Sequence, residues 1–87
     1  MLRIERSTNG EVAYTLSGQM DEESIVELET LLRSEEKGRA VSFDLKDLTL
    51  VNENAITFLE RCEATSITLK NCPPYVREWI TAQRRGR

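Results

Sequence analysis

Asn52, Glu53 and Asn54 stand together where an apolar, β-branched run ends and a helical repeat begins, in the stretch TLVNENAITFL (residues 49–59). A strand that runs into a helix sets its junction residues where free backbone amides and the positive end of the helix dipole meet solvent. Such a corner suits an anion, a partner, or a reacting side chain. Here the three residues offer two carboxamides, one carboxylate and no hydroxyl. A plain helix start accounts for them too, because Asn caps well and Glu in the first turn favours the dipole. The nearest hydroxyl is on Thr57, one turn into the helix, where the ordinary role of Thr is to bond back to the preceding turn.

Other chemistry is sparse. The chain has no His, so it lacks the commonest general base. It has no Gly-rich phosphate loop, and no nucleophile and base converge in the sequence. Neither an enzyme nor a bound cofactor is expected. Cys62 and Cys72 are the only cysteines. They allow one disulfide on paper, but in a chain without a secretion signal a reduced pair is the commoner state. A metal site would need further ligands, and none is expected. Cys62 fits a small apolar core position, and Cys72 a loop-to-helix junction.

At 87 residues the chain is one small domain, and 39% hydrophobic with 31% charged residues is ordinary for a globular protein. The net charge of −3 gives no general attraction for nucleic acid or an anionic membrane. The basic QRRGR stretch is too short a footprint to change that. No apolar run approaches the ~20 residues of a membrane span. The N-terminus reads as a strand rather than a signal peptide, so a cytoplasmic protein is the default expectation.

The elements that position the corner can be read from periodicity. LRIER (2–6) and VAYTLSG (12–18) alternate as half-buried strands do, and Asn9-Gly10 between them signals a tight hairpin. DEESIVELETLLRSEEKG (21–38) reads as a helix capped by Asp21. It has an apolar stripe of Ile25, Leu28, Leu31 and Leu32, a solvated Glu-rich side, and Gly38 at its end. AVSFDLKDLTLV (40–51) reads as a central strand with a bend near Lys46-Asp47. NAITFLERCEA (54–64) is a second helix, SITLK (66–70) a short strand, and CPPYVREWITAQ (72–83) a helix with prolines in its first turn. Residues 1–83 then form one domain, and RRGR (84–87) is expected to be a loose basic tail. The order β-β-α-β-α-β-α predicts an α/β domain: a mixed four-stranded sheet opening with a β-hairpin, with three helices packed mainly on one face. Leu28, Leu32, Phe43, Leu45, Phe58, Leu59 and Trp79 are the expected core.

Two segments carry a resemblance. YTLSGQMDEESIVELETLL resembles the start of the STAS domain, the family of sulfate transporter and anti-sigma factor antagonist modules. That family shows a strand, then Leu-x-Gly-x-x-Asp, then an amphipathic helix; here the matching residues are Leu16, Gly18 and Asp21. FDLKDLTLVNENAITFL is similar to the family's second landmark, DLS-x-V-x-F-I-D-S-S-G-L leading into a helix, through Asp44, Leu45, Leu48, Leu50 and Val51. The element order agrees from residue 2 to about residue 81, and the final strand and helix of longer members are missing.

The resemblance implies a bacterial, non-catalytic module that docks on an anti-sigma factor kinase or another regulatory protein. In the family a Ser or Thr at this corner is phosphorylated, and the added dianion releases the partner. A homodimer is compatible with it, and neither nucleic acid nor insertion into a membrane is implied. Small lone STAS-like proteins also serve ABC-type lipid transporters, so an accessory transport subunit is the alternative. The sequence departs from the pattern at the switch itself. Asn52-Glu53-Asn54-Ala55 stands where the family has Asp-Ser-Ser-Gly. Asn54 falls at the phosphoacceptor position, Glu53 supplies a fixed charge beside it, and Thr57 is the nearest substitute acceptor.

Overall fold

Strand β1 (Leu2–Asn9) pairs antiparallel with β2 (Glu11–Met20), and Gly10, at φ +86°, makes the turn between them. A positive φ at this tip costs glycine nothing, which is why the hairpin closes here. The chain continues through α1 (Glu22–Arg33), β3 (Val41–Val51), α2 (Glu53–Ala64), β4 (Thr68–Lys70) and α3 (Pro74–Arg85). These elements are those of a computed structural model, which describes residues 2–35 and 38–86. The sheet order is β1-β2-β3-β4, with β2, β3 and β4 mutually parallel. This is the mixed four-stranded α/β architecture that the pattern predicts.

One face of the sheet carries the core. In register, Ile4 faces Leu16 across β1–β2, and Tyr14, Phe43 and Leu69 line up across β2–β3–β4. Against this face α1 buries Leu28, α2 buries Ala55, Phe58, Leu59 and Cys62, and α3 buries Val76 and Ile80. The opposite face holds Arg3, Glu5 and Ser7 on β1, Ala13, Thr15 and Ser17 on β2, and Asp44 on β3, as strand alternation requires. The pairing slips between Thr15 and Ser17, opposite Asp44 and Asp47, which is the expected bend in β3. Asp44 closes that bend by accepting from the Lys46 amide at 3.0 Å, and it ties in the end of β4 by accepting from Asn71 Nδ2 at 3.2 Å.

Four expectations need correction. Trp79 is 37% exposed rather than buried. Arg77 and Arg84 both pair with Glu63 of α2, and Gln83 lies against Thr57, so α3 rolls that flank onto α2 and turns Tyr75 and Trp79 outward. Leu32 is only half-buried, packed against the rim of the core. Helix α1 stops at Arg33, well before Gly38, with the Ser34 amide bonding back to the Leu31 carbonyl and the Glu35 amide to that of Leu32. Finally, α3 runs on through Arg84 and Arg85, into the expected loose tail, because Arg84 is anchored on Glu63.

Candidate partner-binding corner

Strands β2 and β3 are parallel and end side by side, Met20 opposite Val51, with both residues buried. Each then passes directly into a helix, so the mouths of α1 and α2 open next to each other at one edge of the sheet. Gly18 sits at the base of this edge with φ +94°, a conformation that side chains other than glycine's rarely adopt. Glycine at position 18 is thus favoured by the backbone path into α1.

Both mouths are capped from their own chain. Asp21 Oδ1 accepts from the Ser24 amide at 3.1 Å, while Ser24 Oγ accepts from the Asp21 amide at 3.4 Å, which forms a capping box. Hydrogen bonds from the Ser24 amide, then from the Ser24 hydroxyl, hold the Asp21 carboxyl below its usual range. At the second mouth Asn52 Oδ1 accepts from the Ala55 amide at 2.8 Å. Asn52 is therefore a cap, and Ala55 beneath it is fully buried.

The two mouths are also joined. Glu22 Oε1, on α1, accepts from Asn54 Nδ2 at 2.8 Å and from Asn52 Nδ2 at 3.0 Å. These bonds, with that to its own backbone amide, lower the Glu22 carboxyl pKa; the Asn54 bond is the largest cause. Glu53 and Asn54 are exposed, and Leu50, two residues before the cap, is 55% exposed on the last turn of β3. The rim is acidic: Asp21, Glu22, Glu23 and Glu53 all belong to it.

Thr57 faces elsewhere. It is half-buried, with its hydroxyl oxygen 3.2 Å from both the Glu53 carbonyl oxygen and Gln83 Oε1, so it points along α2 toward α3. Asp44 lies lower on β3 at the bend, away from the mouths. The fold thus brings together Asp21, Asn52, Asn54 and the Ala55 amide, leaves Glu53 facing solvent beside them, and holds Thr57 and Asp44 apart. Sequence reasoning assigned Glu22 only to the helix dipole. No periodicity links it to asparagines 30 and 32 positions away, and only the parallel pairing of β2 with β3 makes them neighbours. Burial pushes the Cys62 thiol up to about 12 and raises that of Cys72, which disfavours the thiolate form of both.

Comparison with solved structures places this architecture. The anti-sigma factor antagonist SpoIIAA, in its unphosphorylated form, superposes with a TM-score of 0.61 over 90% of this chain and 79% of its own, at 17% identity. The chain has a STAS-like fold. A DUF3478-family protein from Shewanella loihica PV-4, with a SpoIIAA-like fold, matches at a TM-score of 0.56 over 99% of this chain and 76% of its own, at 18% identity. No protein-family model and no curated protein matches the sequence. The STAS-like likeness is therefore one of fold. Among the described residues no helix is long and apolar enough to cross a membrane.

Proposed function

We propose that this STAS-like chain is a non-catalytic interaction module that docks a regulatory protein through Asn52–Ala55, and that phosphorylation of residues 52–54 does not switch it. The observation that carries the reading is the exposed carboxamide of Asn54 at the mouth of α2, where the family resemblance sets the phosphoacceptor. A carboxamide does not take a phosphoryl group as a serine hydroxyl does, so the charge state of the corner is fixed by sequence. The exposed Leu50 beside it gives a partner an apolar foothold next to the polar mouth. The fold neighbour that is an anti-sigma factor antagonist favours an anti-sigma-factor kinase or a related regulator as the partner.

The test begins by capturing the partner from the native cell and identifying it. Asn54→Asp adds a charge to an already acidic mouth and is expected to weaken that complex by about 1 kcal/mol, roughly fivefold in Kd. Unchanged affinity in a folded variant means that the partner docks elsewhere. Incubated with an anti-sigma-type kinase and ATP, the wild-type protein is expected to gain no phosphate at residues 52–54, as read by intact mass and peptide mapping. Phosphate on Thr57 would instead mean that the acceptor has moved by one turn.

A further inference from the structure

We propose that Glu22 is a latch on this corner: reaching from α1, it holds the Asn52 and Asn54 side chains, and a partner that bonds those carboxamides must first displace it. The latch itself stands on geometry alone, and only its consequence for a partner rests on the docking reading above. A single carboxylate oxygen, Glu22 Oε1, takes both asparagine donors, at 3.0 and 2.8 Å. An oxygen with two lone pairs is filled by two such bonds, and charge-assisted bonds of this kind are the stronger class.

The contact acts on α2 through Asn52. One end of that carboxamide accepts from the Ala55 amide at 2.8 Å, and the other donates to Glu22. Glu22 therefore fixes which way round the amide sits, and with it the cap of α2. Without Glu22 the carboxamide keeps only its bond from the Ala55 amide, so it swings more freely and the cap opens more often. Asn54 is the exposed member of the pair, and the same contact occupies one of its two side-chain N–H donors and fixes the direction of the other. Glu22 is thus a positioning residue for the corner, and it joins two helices that the chain otherwise connects only through β3.

The experiment uses the full chain, labelled with 15N, in four forms: wild type, Glu22→Ala, Glu22→Gln and Glu23→Ala. The readouts are the side-chain NH2 signals of Asn52 and Asn54 and the hydrogen exchange of the Ala55 amide. Glu22→Ala is expected to shift both carboxamides and to speed Ala55 exchange about fivefold, the scale of losing a cap. Glu22→Gln keeps an acceptor oxygen and is expected to retain most of the Ala55 protection. Glu23→Ala removes a first-turn carboxylate that makes no hydrogen bond to either asparagine, and it is expected to change none of these signals.

The latch is overturned if Glu22→Ala leaves the carboxamides and Ala55 exchange as in wild type, or if Glu23→Ala changes them equally. With a captured partner, Glu22→Ala is expected to tighten the complex several-fold, and unchanged affinity would overturn the displacement step. These results separate from the docking test. If Asn54→Asp has no effect on binding while the Glu22 signature persists, the docking reading fails and the latch stands. The reverse pattern removes the latch alone.

Discussion

Helix α1 carries a clamped carboxylate near each end, and the two clamps differ in kind. Beyond its C-terminus, Glu35 accepts from Arg6 Nε and Nη2 at 2.9 and 3.0 Å and also from the Tyr14 hydroxyl. At its N-terminus, Glu22 accepts from two neutral carboxamides. The first clamp is a bidentate ion pair over a buried ring, and it ties β1 and β2 to the end of α1 with its charge balanced. The second leaves its charge unbalanced, beside Asp21, Glu23 and Glu53. A balanced charge suits scaffold, because breaking it strands a cation and a phenol. An unbalanced one, held by neutral donors at an exposed rim, suits a contact that forms and releases.

The largest effect belongs at the scaffold end. The Tyr14 ring is buried edge-on to Phe43, with ring centroids 5.8 Å apart, and its hydroxyl completes the Glu35 clamp. Tyr14→Ala empties that position and is expected to cost about 3 kcal/mol or more in urea unfolding. A loss comparable to that of a surface change would mean that the ring and its clamp hold nothing together, and the contrast between the two ends would disappear.

Acid separates the clamps next. Hydrogen bonds from Arg6, then from Tyr14, hold Glu35 at about 2, against an ordinary 4.5. For a depressed carboxyl the stabilisation is fully present above the unfolded value and is lost as pH falls through the folded one. Stability is therefore expected to decline between about pH 4.5 and about pH 2, and Glu35→Gln is expected to flatten that stretch of the profile. Glu22 is lowered as well, so its own contribution has the same sign. If the Glu35→Gln profile keeps the wild-type slope, the acid response arises elsewhere.

At the corner the expected scale is smaller. Asn52→Ala removes both the cap on Ala55 and one of the two donors to Glu22, and is expected to cost about 1 kcal/mol by chemical unfolding. A cost near that of Tyr14→Ala would make the corner part of the scaffold rather than a surface set on it.

The sequence carried the fold further than it carried the site. Alternation in β1 and β2, the Asn9-Gly10 turn and the helical stripes marked every element, because each signal is local. Asn52 as a cap was legible for the same reason. Trp79 was misplaced because its exposure depends on Arg77 and Arg84 reaching Glu63, a contact between helices. Leu32 fell short of full burial because it sits at the rim of the core rather than beneath α2. Glu22 was read as a dipole residue, which its position in the first turn of α1 also supports. Its second role needed β2 and β3 to end in register, with Met20 beside Val51, and no stretch of sequence states a register.

The smallest effect is expected at Glu53, the charge that sequence reasoning set beside the switch position. Its carboxylate is exposed and makes no hydrogen bond or ion pair among the described residues, whereas that of Glu22 is anchored on both asparagines. An exposed carboxylate is screened and carries about half the charge of a phosphate, with fewer acceptor oxygens. Glu53→Gln is therefore expected to leave stability within ~0.5 kcal/mol and partner affinity within about twofold. The paired measurement is Glu22→Ala in the same binding assay, where the several-fold change is expected. If Glu53→Gln instead tightens the complex tenfold while Glu22→Ala does nothing, Glu53 is the built-in off signal. The charge that governs the corner would then lie on α2 itself rather than reach it from α1.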